Sequence, residues 1–347
     1  VRMETVVEAT EIVNSQTQAL EIFKNYNIAG LNHLSLDGLK IATRIKNIKS
    51  RHSPKFLGTD PGVSSYNAIF NHLPIIGRLI GSNEYEGNFL FEMVHHQNMQ
   101  SYKINRASTD RHGVNPFNFG WFDLTEIDYA PRIPKPHNET LWGFGKYSDY
   151  ENLIIAPHKI ANKNYIVDEW DAMQRMLVSM LTGIAIPSVV VAKMSPNNYH
   201  SKTKLAFMHY NHIVRSEFIL RIIDDKQFRI AIEYALNRGE AFNNLYRAIA
   251  LFNGGKFRGQ NETEMMLWDQ CTRLVAAIIL YYNAYILNHL YVNAKTQEEK
   301  ALILALSPGA WIHINLLGYY RFCGLESSHF IDEWLAKWDW QQALKVG

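Results

Sequence analysis

The apolar positions change their period twice along the first third of the chain. Glu4 to Tyr26 carry Val7, Ile12, Val13, Leu20, Ile22 and Phe23 without Gly or Pro, which predicts a helix. From Leu31 to about Ser82 the runs shorten. Leu39 to Ile45, Lys55 to Gly58, Ser64 to Asn71 and Ile75 to Ile80 read as strands, with Asp60-Pro61-Gly62 as a turn between them, so a mostly antiparallel set is expected. Glu84 to Met99 predicts a helix with acids in its first turn. A strand at Tyr102 to Thr109, a short helix around Asn118 to Leu124 and a strand at Tyr129 to Ile133 come next. Strands interleaved with helices imply α/β layers.

Pro131, Pro134 and Pro136 mark a boundary, beyond which apolar spacing near 3.6 predicts helices at Ile166 to Leu181, Thr203 to Ile223, Asp225 to Leu236, Glu240 to Phe252 and Glu262 to His289. Gly239, in Asn237-Arg238-Gly239, reads as a helix stop and puts Glu240 in the first turn of a new helix. On that helix Glu240, Asn243, Asn244 and Arg247 share a polar face opposite Ala241, Leu245, Ala248 and Phe252. Ser328 to Leu344 predicts an amphipathic helix with Phe330, Trp334 and Trp338 on one stripe. No repeat of 20 to 50 residues is present.

Composition narrows the classes. At 347 residues, 47% apolar, with 20 Gly and 11 Pro, the chain can build a large core, is neither collagen-like nor low-complexity, and is long enough for about two domains. Cys271 and Cys323 stand far apart, which argues against a disulfide framework or a cysteine zinc site and fits a reducing cytosol. The most apolar stretches, Gly183 to Ala192 and Leu274 to Leu287, fall short of the roughly 20 residues of a membrane span, so none is expected. The start, Val-Arg-Met-Glu-Thr, has no apolar core of a secretory signal and suggests a piece of a longer chain.

Net charge is only +2, but its distribution is uneven. Gly38 to Thr59 contains no acid and holds Lys40, Arg44, Lys46, Lys49, Arg51 and Lys55, which reads either as a solvated face or as a phosphate-contacting stretch.

Three acids have a suggestive local setting. Asp37 lies in a β-prone stretch before Gly38, which lets a backbone approach a ligand closely. Asp110 ends a second strand, and Glu240 sits on the polar helix face. Two strand aspartates and a helix glutamate form an all-oxygen set of the kind Mg²⁺ or Mn²⁺ takes, and two such ions about 3.5–4 Å apart serve in-line phosphoryl displacement. From the residues alone, each acid also reads as a solvated carboxylate.

Rival constellations are weaker. His209 with His212, and His95 with His96, lack further zinc ligands nearby. Glu84 and Glu86 are accounted for by the helix macrodipole; His33, Asp60 and Asp224-Asp225 are further polar groups that a site could draw on, and His112, two residues beyond Asp110, reads either as a contact to a phosphate or to Asp110 or as a packed strand-end histidine. Neither G-x-S-x-G nor a Walker A loop occurs.

Six segments occur in order: Ser35-Leu36-Asp37-Gly38, Arg51-His52-Ser53-Pro54-Lys55, Ser108-Thr109-Asp110-Arg111-His112-Gly113, Tyr129-Ala130-Pro131-Arg132, Leu236-Asn237-Arg238-Gly239-Glu240-Ala241 and Ser307-Pro308-Gly309-Ala310-Trp311-Ile312-His313-Ile314-Asn315. Together they closely resemble the C-terminal part of transposases of the Tn-three family, the replicative class II bacterial transposons, from about Arg2 to Phe322. The resemblance implies a DDE transposase whose α/β fold is a ribonuclease-H-like mixed sheet with a helical insertion and a helical C-terminal part. The domain reading is then a lead-in helix (1–30), strands and helices carrying the two aspartates (31–135), a helical insertion (136–224), a helical part with the glutamate (225–322) and the C-terminal amphipathic helix (323–347).

It further implies Asp37, Asp110 and Glu240 as the catalytic, metal-binding triad for two Mg²⁺, with Mn²⁺ as a substitute and Asp37 bridging both ions. Lys40, Arg44, Lys46, Lys49, Arg51, Lys55 and Arg247 become the candidate DNA contacts. The implied partners are transposon-end and target DNA and other transposase protomers, with no membrane, in the bacterial cytoplasm at the nucleoid. The implied reaction is release of a 3′-OH at a transposon end and its attack on target DNA. Family members are much longer and carry N-terminal DNA-binding domains. Two rival functions are a non-catalytic DNA-binding or regulatory fragment and a stand-alone ribonuclease-H-like nuclease.

Overall fold

The computed structural model describes residues 2–28, 30–96, 102–195, 201–250, 252, 254–319 and 328–337. The strands are β1 (His33–Thr43), β2 (Arg51–His52), β3 (Pro61–Phe70), β4 (Leu73–Gly81), β5 (Arg106–Thr109), β6 (Asp128–Tyr129), β7 (Trp142–Gly143), β8 (Lys159–Ile160) and β9 (Lys256–Phe257). The helices are α1 (Met3–Ala19), α2 (Glu21–Lys24), α3 (Pro54–Leu57), α4 (Leu90–Val94), α5 (Asn118–Asp123), α6 (Lys163–Asp168), α7 (Trp170–Leu181), α8 (Pro187–Met194), α9 (Lys202–Asp224), α10 (Lys226–Ala250), α11 (Glu262–Asn293), α12 (Gln297–Ala305) and α13 (Ser328–Lys337).

β1 is the centre of a mixed sheet. It runs antiparallel to β3, which runs antiparallel to β4, and parallel to β5, which runs parallel to β6. The parallel neighbours come after helical connections, as a parallel pairing requires. Alternation along β1 buries both faces. Leu34 and Leu36 join Tyr66, Ala68, Phe91, Trp121 and Phe122 in one core, while Leu39 and Ile41 join Val63, Ile69, Phe242, Leu245, Tyr246 and Leu280 in another. The side chain of Asp37 therefore leaves the sheet on the face covered by α10 and α11, and Gly38 faces the opposite way.

Several expected elements take a different form. The N-terminal helix breaks at Leu20, whose backbone is extended, so α1 and α2 separate. Lys55 to Gly58 is not a strand. Pro54 opens the short helix α3 and Gly58, at φ 58°, closes it. Pro61 and Gly62 begin β3 instead of forming a turn; a β-carbon on Gly62 would press into the Leu57 side chain and the Ile41 carbonyl. The helix expected over Glu84 to Met99 is reduced, among the described residues, to a 3₁₀ turn at Glu86–Asn88 and the short α4.

The largest difference is at Gly239. No helix stops there, because α10 runs unbroken through it. A glycine inside a helix costs about 0.5–1 kcal/mol against alanine. Here it lets α10 cross β1 closely, since a β-carbon would lie 2.7 Å from Ser35 Oγ. Glu240 is thus mid-helix and not in a first turn.

α11 is the helix among the described residues that is long and apolar enough to cross a membrane. It packs on α1, α10 and β4 and buries the ion pair of Asp269 with Arg273 at 2.7 Å. At the C-terminus, α13 covers Ser328–Lys337 with Leu335 buried and Trp334 43% exposed. Trp338 and the side chain of Phe330 lie outside the described residues.

Candidate catalytic site

Sheet register brings the two aspartates together. β1 and β5 pair in parallel from His33 with Arg106 to Leu36 with Thr109, so the next residue on each strand is an acid, Asp37 and Asp110. The pairing is fixed by side chains that are buried on both strands, Leu34, Ser35 and Leu36 beside Ala107, Ser108 and Thr109. A slip of one residue would turn every one of these to the wrong face.

Each carboxylate is held locally. Asp37 Oδ1 accepts from the Gly38 N–H at 2.8 Å, and Oδ2 accepts from Asn243 Nδ2 at 2.9 Å. Asp110 caps a short 3₁₀ turn, its Oδ1 accepting from the Gly113 N–H at 2.9 Å. Burial, then the charges of Asp110 and Glu86, push the Asp37 carboxyl up to about 7, against the pull of the Gly38 and Asn243 donors. Asn243 is buried, and its Oδ1 has no hydrogen-bond partner among the described residues.

Both aspartates line an open cavity of about 610 Å³. Glu86 belongs to the same wall. It is buried and accepts from Ser64 Oγ at 2.8 Å, and its carboxylate occupies the space a β-carbon on Gly38 would need. Gly38 therefore makes room for a side chain of this protein, where a ligand was expected. The macrodipole account of Glu86 fails for the same reason, as the carboxylate turns inward to the sheet. Glu84 does stay local, accepting from the Gly81 N–H at 2.5 Å. The cavity lining also includes Lys40, Lys55 and Arg247 with the aromatic rings of Phe56 and Tyr85.

The other expected site residues are dispersed. Glu240 is exposed, one helical turn before Asn243, and is not part of the cavity lining. Asn244 faces a different cavity with Trp311 and His313, so only Asn243 and Arg247 of the expected polar face turn toward the aspartates. Arg44, Lys46 and Arg51 are exposed outside the cavity, and Lys49 pairs with Glu262 at 3.2 Å. Among the histidines, the His212 ring stacks on Trp142 at 4.3 Å and His209 Nδ1 accepts from the Asn162 N–H at 3.3 Å, which are packing roles.

Among the described residues no group of three His, Cys, Asp or Glu is arranged to hold a metal ion. Asp37 and Asp110 nevertheless fit a hard cation as a pair. They are oxygen donors on neighbouring parallel strands, Asp37 within β1 and Asp110 just past β5, their mutual repulsion favours a positive partner, and Asn243, whose Oδ1 is unsatisfied, is bonded to Asp37. Glu240 does not complete the set in this arrangement. Sequence reasoning set Glu86 aside as a first-turn acid, placed Asn243 on the polar face of Glu240 without giving it a site role, and missed Phe56 and Tyr85.

Residues 1–320 match the Tn3 transposase DDE domain family. The chain is 26% identical over 297 residues to the transposase for transposon Tn1546 of Enterococcus faecium, covering 83% of this chain and 29% of that protein. It is 25% identical over 325 residues to the transposase for transposon gamma-delta of Escherichia coli (strain K12), covering 92% and 32%. The transposase for transposon Tn2501 of Escherichia coli is 28% identical over 270 residues, covering 76% and 27%. The chain thus spans about a third of the length of these relatives.

Proposed function

The chain belongs to the Tn3 transposase DDE domain family, and on that premise we propose that it is the catalytic region of a DNA transposase, which cleaves transposon-end DNA and joins the resulting 3′-OH to target DNA. The observation that carries the reading is that Asp37, within β1, and Asp110, just past the end of the parallel β5, follow directly on the last register pair of these strands and line one cavity with three cationic side chains. The antiparallel β1, β3 and β4 followed by parallel β5 and β6 support a ribonuclease-H-like sheet.

In this reading Lys40, Lys55 and Arg247 draw a phosphodiester into the cavity and orient it against the carboxylates. Asn243 and the Gly38 N–H fix the Asp37 carboxylate, and the Gly113 N–H fixes that of Asp110. A Mg²⁺ ion held by Asp37 and Asp110 would supply charge stabilisation to the phosphoryl oxygens and lower the pKa of the attacking hydroxyl. Glu240 joins as the third acid by rotation of its side chain or a shift of α10 when DNA is bound.

The test is incubation of the chain with a pre-nicked transposon-end duplex and Mg²⁺. Joined or nicked products are expected, and Asp37→Asn, Asp110→Asn and Glu240→Gln should each abolish them while leaving DNA affinity nearly intact. Near-normal cleavage by any one variant removes that residue from the triad. One finding favours a second reading, a DNA-binding or regulatory fragment: Glu240 stands outside the cavity. DNA binding without Mg²⁺-dependent nicking would select it.

A further inference from the structure

The rim of the acid cavity carries a ring that the catalytic reading does not use. Phe56 is 50% exposed, although burial of a phenyl ring is favoured by the hydrophobic effect. Its position is built. Pro54 starts α3, the N–H groups of Phe56 and Leu57 both donate to the Ser53 carbonyl at 2.9 Å, Leu57 seats on Gly62 of β3, and Gly58 ends the turn in the left-handed region. The neighbouring Leu57 thus anchors the helix and leaves Phe56 at the mouth of the cavity that holds Asp37 and Asp110.

The Lys40 ammonium lies 4.2 Å and the Lys55 ammonium 4.8 Å from the centre of this ring. Such contacts at an exposed site are weaker than a charge-assisted bond from the same ammonium to phosphate. A phosphodiester entering between the lysines would draw them off the ring. Each phosphate of a nucleic acid strand is flanked by base-bearing sugars, and a base within a duplex keeps its own stacking neighbours. A ring at this height is of use to a base that has lost them.

We propose that Phe56 is a stacking platform for an unpaired nucleobase next to the phosphodiester that the cavity takes, so that the chain engages DNA there as a frayed or single strand. This rests on the phosphodiester reading of the cavity and adds the form of the substrate. Base stacking on an aromatic ring tolerates any sequence, because every base has a π face.

The experiment uses the full chain, without divalent cation, and a partly single-stranded duplex of arbitrary sequence carrying 5-iododeoxyuridine at the first unpaired position. Irradiation should cross-link the base to the peptide containing Phe56. Phe56→Ala should lose the cross-link and weaken binding of this probe about tenfold, within the range for loss of one stacked base. Phe56→Tyr and Phe56→Trp should keep both, and blunt duplex should bind all four proteins alike. A cross-link mapped elsewhere, or Phe56→Ala binding the probe as tightly as wild type, overturns the proposal. A cross-link that persists in a chain unable to nick DNA with Mg²⁺ overturns the catalytic reading alone, and nicking without a cross-link overturns the stacking alone.

Discussion

The carboxylate of Glu86 fills the place that a β-carbon on Gly38 would take, one residue from Asp37 and on the opposite face of β1. Gly38→Ala should therefore push Glu86 out of its Ser64 hydrogen bond and cost about 1–3 kcal/mol, the usual penalty for overpacking. Urea unfolding gives the loss. The double variant Gly38→Ala, Glu86→Ala should recover part of it, since the side chain in the way is then gone.

Asp37 makes stability depend on pH. Its carboxyl is raised from 3.8 to about 7, so between those values the folded chain binds more protons here than the unfolded chain does. Stability should fall as pH rises through that window, by about 1–3 kcal/mol after allowance for solvent screening. Asp37→Asn should lack this component in urea unfolding at pH 5 and pH 8. Millimolar Mg²⁺ should flatten the wild-type slope if the pair of aspartates binds it.

Gly239→Ala sets helix propensity against packing. Alanine would favour α10 by about 0.5–1 kcal/mol, but its β-carbon would lie 2.7 Å from Ser35 Oγ and 4.0 Å from Asp37 Cβ. Packing should win, lowering the thermal midpoint. A variant more stable than wild type would show that α10 can lift from β1 without cost.

Arg273 is fully buried in a network reaching back to the sheet. It donates to Asp269 Oδ2 at 2.7 Å and to Asn67 Oδ1 at 2.9 and 3.2 Å, and Asp269 Oδ1 accepts from Ser65 at 2.5 Å and Tyr246 at 2.6 Å. Asn67 is the register partner of Asp37. Arg273→Met strands a buried carboxylate and should cost about 3–5 kcal/mol, whereas Arg273→Met with Asp269→Leu should cost much less. Equal losses in chemical denaturation would refute the ion-pair account.

The basic stretch can be read by its salt dependence. Replacing Lys46, Lys49 and Arg51 together with Ala should lower the slope of log K against log salt by about 1.8, the share of two phosphate contacts. Lys49 drops out of the count because Glu262 already pairs with it. An unchanged slope would make the stretch a solvated face.

Periodicity and short motifs are local properties, and what they determined is local. The alternation that makes β1 and β3 two-faced, the 3.6-residue spacing of α9 and α11, the strand setting of Asp37 and Asp110 and the ordered motifs of the family are all present in the chain before it folds. What spacing leaves open is which distant segments meet. Asp110 lies 73 residues after Asp37 and becomes its neighbour only through parallel pairing of β1 with β5. Gly239 could equally end a helix or admit a close crossing, because both need a missing β-carbon, and only the packing of α10 on Ser35 decided between them. Glu86 read as a first-turn helix acid because acids favour helix N-termini. Its burial needed Ser64 from one strand and the gap at Gly38 from another, and tertiary structure alone puts those beside it.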